Sequence, residues 1–310
     1  MRELFRIPKT RLWGLALAAV TAVVSGFAVF INSYGVKSWK DAGVSSATYT
    51  TFKNLLAAVL LAVIALAMAR RTRTGLVRPT TASQWRRLTL VGVFGGGVPF
   101  LLFFEGLARA SSGQAAFVHK TLLIWVALLA IPLLAERITA AHLGAMALLV
   151  AGQASLVGVG HLRFGVGEAM ILGATLMWAV EVIVAKKVLA DLPAATVSVA
   201  RMGIGSVVLV AWTAVTGGFA SLPALSVSQW GWALVTGAVL ACYVGSWYGA
   251  LARAQAVDVT AVLVFGAVVT ALLDTGIRGL ALPSILGLTL VTMGAVLALG
   301  AAARTARQKA

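Results

Sequence analysis

Leu107-Ala108-Arg109-Ala110 returns as Leu251-Ala252-Arg253-Ala254, an offset of 144 (107 to 251). Ser83-Gln84-Trp85 returns as Ser228-Gln229-Trp230, an offset of 145 (83 to 228). Between these, Phe52-Lys53 has a looser counterpart in Ala200-Arg201, and Gly144, Gly152 and Gly158 recur near Gly287, Gly294 and Gly300. One shared tetrapeptide in an alanine-rich chain is weak evidence. Several matches in the same order at nearly constant spacing indicate a duplication.

The duplicated unit belongs in a membrane. The chain has 310 residues, 60% hydrophobic and only 11% charged, with a mean hydropathy of +0.97. Soluble domains carry roughly 25% charged residues. Apolar runs between polar punctuation predict ten spans, at 13–33, 46–69, 88–108, 114–134, 139–159, 167–187, 194–215, 229–250, 257–278 and 283–302. Each is long enough for ~30 Å of hydrocarbon. The repeat offset covers five spans, an odd number, so the second copy enters the membrane inverted. The expected fold is an all-α polytopic membrane protein, two inverted five-helix repeats (1–160 and 161–310) around a central cavity. The first apolar run exceeds a signal-peptide core and reads as a retained helix.

Lys and Arg residues set the orientation. With the N-terminus in the cytoplasm, seventeen fall on that side, from Arg2, Arg6, Lys9 and Arg11 through Arg70, Arg71, Arg73, Arg78, Arg86, Arg87, Arg137, Lys186, Lys187 and Arg253 to Arg304, Arg307 and Lys309. Five fall opposite: Lys37, Lys40, Arg109, Arg163 and Arg278. Both termini are therefore expected in the cytoplasm of a cell (plasma or inner) membrane. The net charge of +16 follows this topological bias rather than a stripe that tracks phosphates, which argues against nucleic acid. Cys242 is the single cysteine and has no partner for an intrachain disulfide.

The stretch from Gln114 to Gly158 contains Leu133-Leu134-Ala135-Glu136-Arg137-Ile138-Thr139, then Gly144 and Gly152. It resembles the "LGERLT…G…G" ending of each half in EamA-type proteins of the drug/metabolite transporter superfamily. The resemblance runs the length of the chain and implies a carrier of small metabolites, often an exporter. At two places the chain departs from the pattern. Thr121-Leu122-Leu123 stands where the fourth helix usually has a proline, a residue missing from the ninth as well. Ile277-Arg278-Gly279-Leu280 replaces the second Glu-Arg.

Ionisable groups inside spans are candidates for function because burying them is costly. Lys53, Glu105, His119, Lys120 and Asp274 are expected in the outer half of the membrane, and Glu181 and Arg201 in the inner half. Glu181 and Arg201 are expected to pair as a cytoplasmic latch, with Glu105, Asp274, Glu181 and Arg201 together serving gating or proton coupling. His119-Lys120 has no polar counterpart in Val262-Leu263-Val264-Phe265. Such asymmetry in a duplicated scaffold suits substrate or proton handling, with Glu105 or Asp274 balancing Lys120. Lys53, Phe27, Trp125 and Trp178 complete the expected substrate-binding set. Charge neutralisation and ordinary helix packing are the competing explanations for all of these residues. Gly92, Gly95, Gly96, Gly97 and Pro99 in the third span either flex the helix or let it pack closely.

Nothing points to an enzyme. The chain has no Gly-x-Ser-Gly, Asp274 reads as a lone intramembrane aspartate, and no His/Cys/Asp cluster has metal-ligand spacing. Neither cofactor nor metal is expected. The expected function is secondary transport, in the export direction, of a small polar metabolite by alternating access, with proton coupling left open. The alternative is a non-transporting integral membrane partner or receptor. The expected partners are the bilayer and a small-molecule substrate, the protein acting as monomer or homodimer.

Overall fold

The computed structural model describes residues 9–72, 75–107, 109–110, 112–157, 164–279 and 284–307. Arg2, Arg6, Arg73, Arg163 and Lys309 of the charge count, with Ala108 and Gly158 of the repeat, lie outside the described residues.

The described chain is helical throughout. In chain order it forms α1 (Lys9–Asp41), α2 (Ser46–Thr72), α3 (Ala82–Leu107), α4 (Ser112–Lys120 then Leu122–Leu134), α5 (Ala140–Val157), α6 (Val166–Val188), α7 (Ala194–Val215), α8 (Val227–Leu251), α9 (Ala256–Leu263 then Gly266–Arg278) and α10 (Ile285–Arg307). Among the described residues, nine helices are long and apolar enough to cross a membrane. The fifth apolar helix, Ala140–Leu156, is shorter, so length and composition leave the expected tenth span unsupported. The first helix runs eight residues beyond the expected span, because Trp39 is fully buried against Tyr49 and Trp230.

Helix pairing displays the duplication. α1 packs on α8 and α9 while α6 packs on α3 and α4; α2 packs on α8 while α7 packs on α3; α2 pairs with α7 and α5 with α10. Exchanging the two halves helix for helix maps this set of pairings onto itself. The sequence repeats have matching local roles. Thr81 with Gln84 and Ser226 with Gln229 form capping boxes that start α3 and α8, satisfying amides left free at a helix N-terminus. Arg109 and Arg253 each fold back onto a carbonyl four residues earlier, Glu105 O at 2.7 Å and Gly249 O at 2.8 Å. They relieve the unpaired carbonyls where α3 and α8 end.

Both fourth helices break at equivalent points without a proline. In α4 the break falls at Thr121, whose hydroxyl donates to Val118 O at 2.6 Å. In α9 it falls at Val264-Phe265, where Phe265 N–H bonds Val262 O at 3.1 Å. The only proline within α4 is Pro132, in the second segment's last turn. Close packing holds α9 on α1: a Cβ at Gly266 would fall 2.8 Å from Ala22 O. Thr270 Oγ1 also donates to Gly26 O at 3.0 Å.

Candidate functional site

The site is built on the glycine run of α3. Gly92–Gly97 forms a π-helical turn with Gly92, Gly95, Gly96 and Gly97 buried. A Cβ at Gly96 would collide with the Arg201 carbonyl, and one at Gly205 with the Gly96 backbone, so the glycines let α3 and α7 touch. Flexing and close packing, opposed in the sequence reading, occur together. A π turn also frees carbonyls from the regular ladder. Gly95 O accepts from the Trp178 indole at 3.0 Å and from Arg201 Nη2 at 2.8 Å.

Glu181, Arg201 and Trp178 therefore meet around one glycine. A Cβ at Gly95 would fall 2.6 Å from Glu181 Cγ and 3.0 Å from Arg201 Nε. Glu181 and Arg201 are 2% and 6% exposed. The expected direct ion pair is not formed: among the described residues no nitrogen of Arg201 lies within 4.0 Å of a Glu181 carboxylate oxygen. Arg201 is engaged with the Gly95 carbonyl and, at 3.4 Å, with Met202 Sδ. Glu181 instead accepts a hydrogen bond from Tyr248 of α8. Arg201 Nε is buried without a partner, so the guanidinium retains an unused donor.

Aromatic rings extend this group. Trp178 contacts the His119 ring at 4.9 Å, Phe100 at 5.5 Å and Phe103 at 5.7 Å, and Phe103 also meets His119 at 5.4 Å. His119 thus joins Glu181 and Arg201 through Trp178, although the sequence placed them at two separate levels. His119 Nδ1 is buried and unpartnered.

The other expected residues lie outside this group, with Lys120 at its edge beside His119. Lys120 lines two small cavities, one with Gln153 and Thr121 and the other with His119 and Thr260. Each holds about 10 Å³, close to a single water molecule and far below the metabolite-sized cavity expected there. Lys53 is buried, donates to Asn32 Oδ1 at 3.2 Å and lies over the rings of Tyr49 and Phe104. Neither Glu105 nor Asp274 balances Lys120, since each pairs with the arginine one turn on, Arg109 at 2.5 Å and Arg278 at 3.0 Å. Trp125 donates to Thr121 Oγ1 at 3.1 Å. Phe27 is 41% exposed, so lipid contact explains it better than a cavity wall.

The sequence profile of the EamA-like transporter family matches residues 12–158 and again 165–300. The chain belongs to this family. EamA-like proteins are membrane transporters, and the two matched segments correspond to the two halves that exchange in the helix pairing. A solved structure titled "Crystal structure of protein" shares the fold, with a TM-score of 0.71 at 19% identity over 93% of this chain and 98% of that one. Comparison with curated proteins finds no match.

In this EamA-like chain a second buried polar cluster lies at the end carrying Arg11. The sequence reading passed over it. Asp258, fully buried, accepts from Arg11 Nη2 at 3.0 Å and lies 3.0 Å from His142 Nε2. Glu136, from the Leu133–Thr139 stretch, accepts the backbone amides of Ala256 and Val257 at 2.7 and 3.1 Å. Burial raises the Glu136 pKa above the usual carboxylate value, although the two amides pull it down. Lys186 donates to Leu251 O and Ala254 O. The elbow between α8 and α9 is thereby held by α1, α5, α6 and the loop before α5. Asp274 is consequently not the lone aspartate of the spans. Asp258 shares its helix sixteen residues earlier, ~24 Å away at 1.5 Å per residue, too far for a catalytic dyad. The signal available in sequence was three ionisable groups (Glu136, His142 and Asp258) at the margins of apolar runs.

At the opposite end, Arg278 of α9 reaches α1. It donates to Tyr34 Oη and Phe30 O, each at 3.1 Å, bonds Ser33 Oγ, and lies over the Phe30 and Tyr34 rings at 4.7 and 4.5 Å. α1 and α9 are thus tied by an arginine at each end.

Proposed function

We propose that this EamA-like protein is a secondary transporter that exports a small polar metabolite by alternating access, with ten membrane-crossing helices and both termini in the cytoplasm. One observation carries the reading: oppositely charged Glu181 and Arg201, buried beside a helix irregularity, without a direct pair. A purely structural role would favour direct neutralisation, since a buried charge without an ionic partner is costly. An arrangement that holds the two apart, each on a weaker partner, leaves both free to exchange that partner for a substrate group. Trp178, Phe100, Phe103 and His119 supply apolar and stacking surface next to them. Lys120, which shares a small cavity with His119, adds positive charge beside this surface, while Lys53 is held by Asn32, and Glu105 and Asp274 stay with their own arginines.

The closed packing around the site supports an occluded arrangement, with the arginine ties at the two ends of α1 and α9 opening in turn. The seventeen-to-five distribution of basic residues supports the orientation, with the Arg11 end facing the cytoplasm. The test is uptake and efflux of a panel of labelled metabolites in proteoliposomes, with and without an imposed pH gradient. The reading expects at least one solute to move well above the rate of empty liposomes. Absence of protein-dependent flux across the panel would count against it.

A further inference from the structure

The breaks of α4 and α9 meet beside Lys120. A cavity of about 10 Å³ lies against the α4 break, lined by Lys120, Thr121 and Gln153 with apolar Phe117, Leu149 and Val264. Gln153, from α5, is 5% exposed, and its Nε2 is buried without a hydrogen-bond partner. Lys120 is half-buried. Among the described residues no carboxylate lies within 4.0 Å of its ammonium.

These two unengaged nitrogens can only donate. An ammonium has three donors and no acceptor, and an amide nitrogen has two donors. The Thr121 hydroxyl is already committed, donating to Val118 O at 2.6 Å and accepting from Trp125 Nε1 at 3.1 Å. The carbonyls of Phe117 and Val118, near the end of the first segment, are taken by the Thr121 amide. The second segment of α4, thirteen residues long, begins at Leu122, and the positive end of its dipole adds to the field at the break.

The chemistry that suits this place is an acceptor with a negative charge. A water molecule would accept from the two nitrogens but leave the Lys120 charge unbalanced inside a span, which is costly. A carboxylate or phosphate group needs more room than a cavity close to one water in size. A monatomic anion, little larger than a water, meets the donors, the charge and the space together.

We propose that Lys120 and Gln153 form a halide-binding site, taking chloride, at the break of α4. The ion balances Lys120, a part that Glu105 and Asp274 leave open by pairing with their own arginines. It ties α4 to α5 where α9 lies against them, so chloride stabilises the closed packing. The site requires no particular solute and does not rest on the transporter reading.

The test is thermal unfolding of the full-length protein in a neutral detergent, with chloride replaced stepwise by gluconate at constant ionic strength. Gluconate is too large for the cavity. The midpoint of the unmodified protein should rise with chloride and saturate, gaining about 3 °C at ten times the half-saturating concentration. Bromide should substitute for chloride. Lys120→Met should lose the response. Gln153→Glu places a carboxylate beside Lys120, so its midpoint should be indifferent to chloride and already raised in gluconate. That variant carries the test alone should Lys120→Met fail to fold. A midpoint indifferent to chloride in the unmodified protein would overturn the inference, leaving a water at most. An unchanged chloride response in either variant would overturn it as well, by placing the ion elsewhere.

Discussion

Ala135 occupies the left-handed region at φ 50°, and its repeat partner Gly279 does so at φ 67°. A non-glycine residue there carries about 1 kcal/mol of strain. Ala135→Gly should therefore raise the thermal midpoint in detergent, by about 2 °C for a chain of this size, whereas Gly279→Ala should lower it. Next to it, Glu136 accepts two amides with its two oxygens. Glu136→Gln turns one acceptor into a donor facing an N–H, a loss of about 1–3 kcal/mol, measurable as a lower midpoint in the same assay. The sequence disclosed the residues at mid-span better than those at the ends. Lys53, Glu181 and Arg201 stand out as charges inside apolar runs. His142 and Asp258 do not, because their burial depends on α1, α5 and α9 coming together around them.

Helix packing explains what the glycines of α3 and α7 do. Gly205 abuts the Gly96 backbone, while Gly203, half a turn away on the same helix, has nothing within 4 Å of an added Cβ. Gly205→Ala should push α3 and α7 apart at a loss of about 1–3 kcal/mol. Gly203→Ala should be neutral or stabilise by about 0.5–1 kcal/mol through helix propensity. Thermal unfolding of the two variants side by side checks the contrast, and equal effects would contradict the packing. Nine of the apolar runs were legible as crossing helices because lipid demands long uninterrupted stretches, whereas the fifth folds as the shorter Ala140–Leu156 among the described residues. The breaks at Thr121 and Val264-Phe265 were not, since neither site has proline or glycine at the break itself. Thr121 turns its hydroxyl onto Val118 O, a side-chain bond that competes with the helix ladder.

The whole molecule follows from the duplication. A repeated tetrapeptide and a repeated tripeptide announced two halves, and the exchange symmetry of the helix pairings displays them. What sequence could not supply was the meeting of Glu181, Arg201, Trp178 and His119. Their association depends on a π turn in a third helix and on how four helices pack. The topology argued from charge makes a further prediction. Reporter fusions after residues near 80 and 187 should read cytoplasmic, and those near 40 and 220 external; two or more contrary readings would invalidate the orientation.

The central claim is that solute passes through the Glu181–Arg201 site beside Gly95. Its most direct test is counterflow in proteoliposomes of a solute found to move, comparing the unmodified protein with Arg201→Met at equal insertion. The account predicts that exchange falls by about 100-fold or more, equivalent to roughly 2.7 kcal/mol, while the variant remains folded and correctly inserted. Exchange in Arg201→Met at the unmodified rate would contradict it.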